Sequence, residues 1–171
     1  MRRLGVIAAL GAMLGMLAGV LTASPALAGR GPKWEFVPTE TITLPSSFCG
    51  FEVQVTPVSK QFAKVLKATD ASETVLITGT LTLSYTNLST GKTITELAST
   101  SSTFTANADG SVTVTNRGHA PLFLSPADAQ RFGLPTVSVV AGALTISTDP
   151  DGNTSLSLNG HVLVDVCAAL S

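Results

Sequence analysis

The chain has 171 residues, of which 44% are apolar, 12% are charged and 5% are aromatic. This length and composition predict one globular domain of modest size. The formal net charge is -1 and the sequence pI is about 6.1. The chain therefore lacks the positive field that attracts phosphates, and we expect no nucleic-acid partner.

The first segment has the pattern of a secretory signal peptide. A pair of arginines, an uncharged run over residues 4–21 and a small-residue triplet that ends at Ala28 follow one another in the order of an export signal. We expect cleavage after Ala28, so that residues 1–28 are a signal peptide and residues 29–171 form a single β-rich domain. An uncleaved membrane anchor is the alternative, because a run of this length is at the lower limit for a spanning helix.

The leader also determines the expected location of the protein. We predict a secreted, extracellular protein that meets the membrane only through the signal segment before cleavage. Gly29 follows the expected cleavage site, so no cysteine stands where a lipid would be attached. The chain is therefore not expected to be a lipoprotein.

From residue 41 onward, apolar and polar residues alternate with a period of two, and turn residues separate the alternating stretches. This pattern predicts an all-β domain. The predicted strands cover residues 41–44, 51–58, 74–88, 92–106, 111–115, 121–124, 137–148, 155–158 and 161–166. Residues 59–69 fit either a helix or a strand, and Asn159-Gly160 predicts a two-residue hairpin loop.

One short helix is predicted within this all-β pattern. Ser125 is a suitable N-cap, Pro126 fits the first helical position, and Gly133 ends the helix. The expected helix lies between the strands over 121–124 and 137–148.

Cys49 and Cys167 are the two cysteines of the chain. In an exported protein they predict a disulfide, with two buried thiols as the alternative. A disulfide holds its two Cα atoms within about 7 Å of each other, so the first and last strands should be neighbours. We therefore expect a single antiparallel β-barrel closed by an internal disulfide, and a β-sandwich is the alternative.

The predicted C-terminal hairpin assigns its side chains to faces. A turn at Asn159-Gly160 would direct His161 and Asp165 inward, on the same face as Leu163 and Cys167. A polar spot of this kind in a barrel interior orients a small ligand, so His161 and Asp165 are candidate ligand-site residues. The interpretation that we favour is that Asp165 bonds to backbone or to a hydroxyl near the sheet end and that His161 lies half exposed beside the turn.

No other spacing in the sequence predicts a catalytic residue, a cofactor site or a metal site. His119 and His161 are the two histidines, and with both cysteines in a bridge they form no ligand set of recognised spacing. Asp149 and Asp151 begin like a calcium loop, but Gly160 stands where that loop needs a carboxylate. A turn explains them better.

Four short motifs occur at the ends of the predicted strands. They are Phe48-Cys49-Gly50-Phe51, TNLSTG at residues 86–91, DPDG at residues 149–152 and the terminal DVCAAL at residues 165–170. The set resembles a group of small exported proteins of high-GC Gram-positive bacteria over residues 40–171. That resemblance implies secretion and a β fold, and it assigns no catalytic or binding residue.

Two functions from different classes are consistent with these patterns. We expect a non-enzymatic β-domain with a structural or binding role at or outside the cell surface. The alternative is a carrier of small apolar ligands, or a barrel isomerase of the calycin or dirigent kind. The alternative requires an interior cavity of roughly 300 Å³ or more, so interior volume distinguishes the two.

Overall fold

The structure of the protein is a computed structural model that describes residues 33–171. The expected signal peptide, residues 1–28, lies outside the described residues, as does the cleavage site. Within the described part of the chain, no helix is both long enough and apolar enough to span a membrane.

The described chain is mostly strand, so the all-β prediction is confirmed. The strands are β1 (Glu35–Phe36), β2 (Ile42–Leu44), β3 (Val53–Ala68), β4 (Ser72–Asn87), β5 (Thr93–Leu97), β6 (Thr100–Asn107), β7 (Val112–Phe123), β8 (Val137–Thr148) and β9 (Thr154–Asp165). The helices are α1 (Pro126–Phe132) and α2 (Val166–Leu170).

All of these strands belong to one antiparallel sheet with the order β1-β3-β4-β6-β7-β8-β9, in which β2 also pairs with β3 and β5 with β4. The sheet does not close into a barrel, so the predicted β-barrel is wrong. The prediction treated the disulfide as a bond between two strands. Both cysteines lie outside the strands, and their bond does not require β3 to pair with β9.

Several predicted elements join or divide in the structure. The ambiguous residues 59–69 are mostly strand, because β3 continues through them to Ala68. The predicted strands over 111–115 and 121–124 are one strand, β7. The predicted strand over 92–106 is divided into β5 and β6 near Ala98.

The predicted hairpin at the C-terminus is wrong. β9 continues straight through Asn159 and Gly160, which pair with Ala143 and Gly142 of β8. The reason is a close approach of two backbones: an ideal Cβ on Gly160 would lie 1.9 Å from the carbonyl oxygen of Ala141. The glycine therefore allows the backbones of two strands to approach closely, and it does not form a turn.

Gly118, Gly142 and Gly160 lie in direct register on β7, β8 and β9, and we call them the glycine row. Gly118 and Gly142 have φ angles of 119° and 122°, which residues other than glycine rarely adopt. Gly79 of β4 repeats the feature, with φ 129° and an ideal Cβ that would meet the Lys60 carbonyl oxygen at 2.2 Å.

The described structure has two main apolar cores. The first joins β2, β3, β4 and β8 to α2, and it consists of Leu44, Val53, Val55, Leu83, Tyr85, Ala98, Val137, Val139, Val166 and Leu170. The second lies between α1 and strands β7 and β8, and it consists of Ala120, Leu122, Leu124, Ala129, Val140 and Leu144. Val139 and Val140 belong to different cores, so both faces of β8 are covered at this end.

The predicted helix is confirmed as α1. Its N-cap Ser125 accepts a hydrogen bond at Oγ from the backbone N–H of Asp128 at 3.1 Å, which satisfies one of the free donors of the first turn. Gly133 ends the helix in the left-handed conformation with φ 67°. The caps thus position Leu124 and Ala129 against the second core.

Candidate binding face

The predicted disulfide between Cys49 and Cys167 is present, with Cα atoms 5.1 Å apart. Cys49 lies in a turn before β3, and Cys167 lies in α2. Both are half-buried against the first core. The bond therefore joins an early segment to the last helix, and it is only partly internal.

The terminal DVCAAL motif has a structural explanation at each of its key residues. Asp165 caps α2, because its Oδ1 accepts a hydrogen bond from the backbone N–H of Ala168 at 3.0 Å. Cys167 forms the disulfide, and Leu170 is fully buried in the first core. The motif thus attaches the chain end to the body of the domain.

The inward placement of His161 and Asp165 is wrong. Both residues are exposed. β9 has no turn at residue 160, so His161 lies on the face opposite to Leu158, and a register shift between Val162 and Val164 precedes Asp165 at the end of the strand. Leu156, Leu158 and Val162 form the partly buried side that packs on the second core. Four residues of strand extend roughly 13 Å, so the structure does not bring His161 and Asp165 together.

Two ordered rows of hydroxyl groups cross one face of the sheet, the first over five strands and the second over four. Directly paired residues place Thr74, Thr105, Thr113, Ser147 and Ser155 in a first row. The same pairing places Thr103, Thr115, Thr145 and Ser157 in a second row. We call these two rows the hydroxyl face. Each of its members is half-buried or exposed.

The opposite face carries an apolar row at the same level. Val75, Phe104, Val114, Ile146 and Leu156 pair directly with one another across the same five strands. Because side chains alternate between the two faces of a sheet, this apolar row lies between the two hydroxyl rows along the strands. The sheet is therefore amphipathic here, and its hydroxyl rows form the outer surface.

Hydrogen bonds between the side chains fix part of the hydroxyl face. Thr74 and Thr105 are joined Oγ1 to Oγ1 at 3.2 Å, and Thr113 Oγ1 and Ser147 Oγ are 3.0 Å apart. Neighbouring strands are about 4.8 Å apart, and alternate residues of one strand are about 6.7 Å apart. The face thus presents a two-dimensional lattice of groups that both donate and accept.

An open groove of about 340 Å³ lies at the end of the hydroxyl face. The residues that line it belong to polar types, and they include Thr113, Ser147, Asp149 and Asn153. Asp149 accepts hydrogen bonds from the side-chain and backbone nitrogens of Asn153, both at 2.8 Å. These bonds hold the pKa of the Asp149 carboxyl below its usual range. The groove therefore contains a fixed anionic acceptor beside several hydroxyls.

Exposed aromatic side chains lie at the opposite edge of the same sheet. Trp34 is 48% exposed, Phe36 is 56% exposed and Phe62 is 44% exposed. The rings of Phe36 and Phe62 meet edge to face with centroids 5.9 Å apart, and Lys64 Nζ is 5.6 Å from the ring centre of Trp34. Phe62 pairs directly with Thr78 on β4, so these rings border the hydroxyl side of the sheet.

The two histidines of the chain lie on either side of one residue of β8. His119 and His161 both pair directly with Ala141, from β7 and from β9. Among residues 33–171, no group of three or more histidine, cysteine or acidic side chains is placed to hold a metal ion. Histidines 42 positions apart give no spacing signal, so only strand register reveals this arrangement.

Comparison with protein-family models, with curated proteins and with solved structures finds no match to the chain. The candidate binding face is therefore interpreted from its own chemistry.

Proposed function

We propose that the protein is a secreted, non-enzymatic binding module whose hydroxyl face attaches to a neutral, hydroxyl-rich polysaccharide outside the cell. The observation that carries this proposal is the in-register lattice of Thr and Ser side chains, which covers five strands in its first row and four in its second. A repeating array of donors and acceptors matches a ligand that also repeats its hydroxyl groups.

The chemistry of the face favours a neutral glycan over a charged polymer. Both hydroxyl rows consist of uncharged side chains, and each hydroxyl can donate one hydrogen bond and accept others, as a sugar hydroxyl does. Without Arg2 and Arg3 of the expected signal peptide, the formal net charge of the chain is -3, which is small. Long-range attraction to a highly charged polymer is therefore weak.

The two borders of the face supply complementary contacts. Sugar rings have apolar faces that pack on exposed aromatic side chains, and Trp34, Phe36 and Phe62 provide such a border. At the other end, Asp149 provides a charged acceptor, and hydrogen bonds to a charged partner are stronger than those between neutral groups. The lattice lies between them.

The carrier or isomerase alternative has less support. Its motivation is closure of the chain into a barrel, with His161 and Asp165 directed inward. The sheet is open, both residues are exposed, and the groove of about 340 Å³ is open to solvent. The proposal of a binding face does not depend on an interior cavity.

The experiment compares binding of the protein to neutral and to charged insoluble polysaccharides, measured as depletion from solution. The test variant carries Thr103→Val and Thr115→Val, which remove two paired hydroxyls of the second row. Valine has nearly the same shape and favours strands. The matched control carries Thr86→Val and Thr93→Val, because these side chains form an equivalent cross-strand pair at 2.8 Å between β4 and β5.

We expect the wild type and the control to bind a neutral polysaccharide. The test variant should bind it at least roughly tenfold more weakly, because each of the two lost hydrogen bonds contributes about 1 kcal/mol. Equal binding by the test variant would contradict the proposal. So would binding restricted to charged polymers, or no binding to any member of the panel.

A further inference from the structure

We infer that His119 and His161 together form a binding site for one late first-row divalent cation, such as Zn²⁺ or Cu²⁺. This site is independent of the proposed polysaccharide binding. It lies on the three strands β7, β8 and β9, next to the glycine row.

The register places both imidazoles on one side of the sheet. His119 pairs directly with Ala141, and Ala141 pairs directly with His161. Residues that are directly opposite each other in an antiparallel sheet point to the same face. Both histidines are exposed, so the two rings flank the methyl group of Ala141 on an accessible surface.

The distance between the strands suits two ligands of one ion. Two steps between adjacent strands separate the Cα atoms of His119 and His161 by about 9 to 10 Å. An ion in the gap above Ala141 requires each imidazole to turn towards that gap, with metal–nitrogen distances of about 2.0–2.1 Å. A small residue at position 141 is essential, because a larger side chain would occupy the position of the ion.

The strands hold the two ligands more rigidly than loops would. One residue away along each strand lies a member of the glycine row, Gly118 beside His119 and Gly160 beside His161. The backbones of β8 and β9 are in close contact here, since an ideal Cβ on Gly142 would lie 2.3 Å from the Asn159 carbonyl oxygen. This contact fixes the register of β8 against β9, and therefore the position of His161 relative to Ala141.

The type of ion follows from the donor set. Two imidazole nitrogens favour Cu²⁺, Ni²⁺ and Zn²⁺ over Mg²⁺ and Ca²⁺, which prefer oxygen ligands. On the next row of the same face, Arg117 and Asn159 flank Ala143. Neither supplies a carboxylate, so water completes the coordination and the bound ion keeps exchangeable positions.

The experiment titrates untagged protein with Zn²⁺ and with Cu²⁺ by calorimetry, and records the electron paramagnetic resonance spectrum of the Cu²⁺ form. Loss of an outer partner of a metal ligand already weakens binding by about 10- to 100-fold. We therefore expect His119→Gln and His161→Gln each to weaken binding by at least roughly tenfold. The wild-type spectrum should show coupling to two imidazole nitrogens at a stoichiometry of one ion.

A second pair of variants tests the geometry without removing a ligand. Ala141→Val fills the gap between the histidines, and Ala143→Val is its matched control one row away on the same face of β8. We expect only Ala141→Val to weaken Zn²⁺ binding. Retention of full affinity in either single histidine variant would overturn the proposal, as would two independent ions or no saturable binding of either metal.

Discussion

The side-chain Nδ2 of Asn87, at the end of β4, donates a hydrogen bond to the backbone carbonyl oxygen of Leu170, 3.1 Å away. Asn87 is buried, and its Oδ1 also accepts from the backbone N–H groups of Ser89 and Thr90. One amide thus holds the β4–β5 turn and the last helix together. The interaction spans residues that are 83 positions apart.

Replacement of Asn87 by alanine should lower the free energy of unfolding by about 1 to 3 kcal/mol, because it leaves buried backbone groups without partners. Asn107→Ala is the comparison, since Asn107 Nδ2 bonds to Ser111 Oγ within a single turn. Urea unfolding of both variants measures the difference. Equal losses would show that the contact with Leu170 does not stabilise the fold.

The disulfide should stabilise the domain as a single unit. It closes a loop with a sequence separation of 118 residues, for which chain entropy gives about 5 kcal/mol as an upper estimate. Cys49→Ser, Cys167→Ser and the double variant should therefore show nearly the same loss in thermal melts, because each removes the same cross-link. Additive losses from the two single variants would contradict this expectation.

Tyr85 should weaken the fold at alkaline pH. Burial, with a further contribution from Glu96, raises the pKa of Tyr85 above its ordinary value of 10.0. In the unfolded chain the phenol ionises near that value, whereas in the folded protein it stays neutral. Ionisation of Tyr85 therefore does not change the free energy of unfolding below about pH 10, and it lowers that free energy as the pH rises further.

Tyr85→Phe provides the measurement. Its stability should decline less above pH 10 than that of the wild type. At neutral pH the variant should be slightly more stable than the wild type, because the Tyr85 hydroxyl has no hydrogen-bond partner among the described residues. Tyr85 is the one tyrosine of the chain, so phenolate absorbance reports it alone. Titration of the folded protein with an ordinary tyrosine profile would contradict the burial argument.

The glycine row should tolerate no side chain at Gly142. Alanine there would adopt an unfavourable φ and would place its Cβ against the backbone of Asn159 and Gly160, so we expect a loss of more than about 3 kcal/mol. Gly110→Ala is the control, because Gly110 has φ 88° but no atom within 4 Å of an ideal Cβ. It should lose only about 1 to 2 kcal/mol.

Local signals in the sequence predicted the elements better than their arrangement. The caps at Ser125 and Gly133 act within one helix, so they were correctly read from neighbouring residues. Asn159-Gly160 carried an equally strong hairpin signal, but contact between Gly160 and the backbone of β8 overrides it. That contact depends on a strand distant in sequence, which local pattern does not reveal.

The candidate sites depend on register in the same way. The alternation of apolar and polar residues predicts a polar face for each strand, but only the pairing of β6 with β7 places Thr103 beside Thr115. Likewise, only the pairing of both β7 and β9 with β8 brings His119 and His161 to the two sides of Ala141. The predicted turn at residue 160 reverses the faces of His161 and Val162, which is why His161 is expected inside; a register shift after Val162 changes the alternation again before Asp165.

The contribution of α2 to the first core sets the order in which the domain can assemble. Val166 and Leu170 are fully buried against residues of β3 and β4, although Leu170 follows Asn87, the last residue of β4, by 83 positions. A nascent chain in which α2 is still held in a tunnel or a translocation channel leaves this core open. Long-range pairing also makes such folds slow. Folding of the first core is therefore completed only after α2 has emerged, and the Cys49–Cys167 bond can form only then.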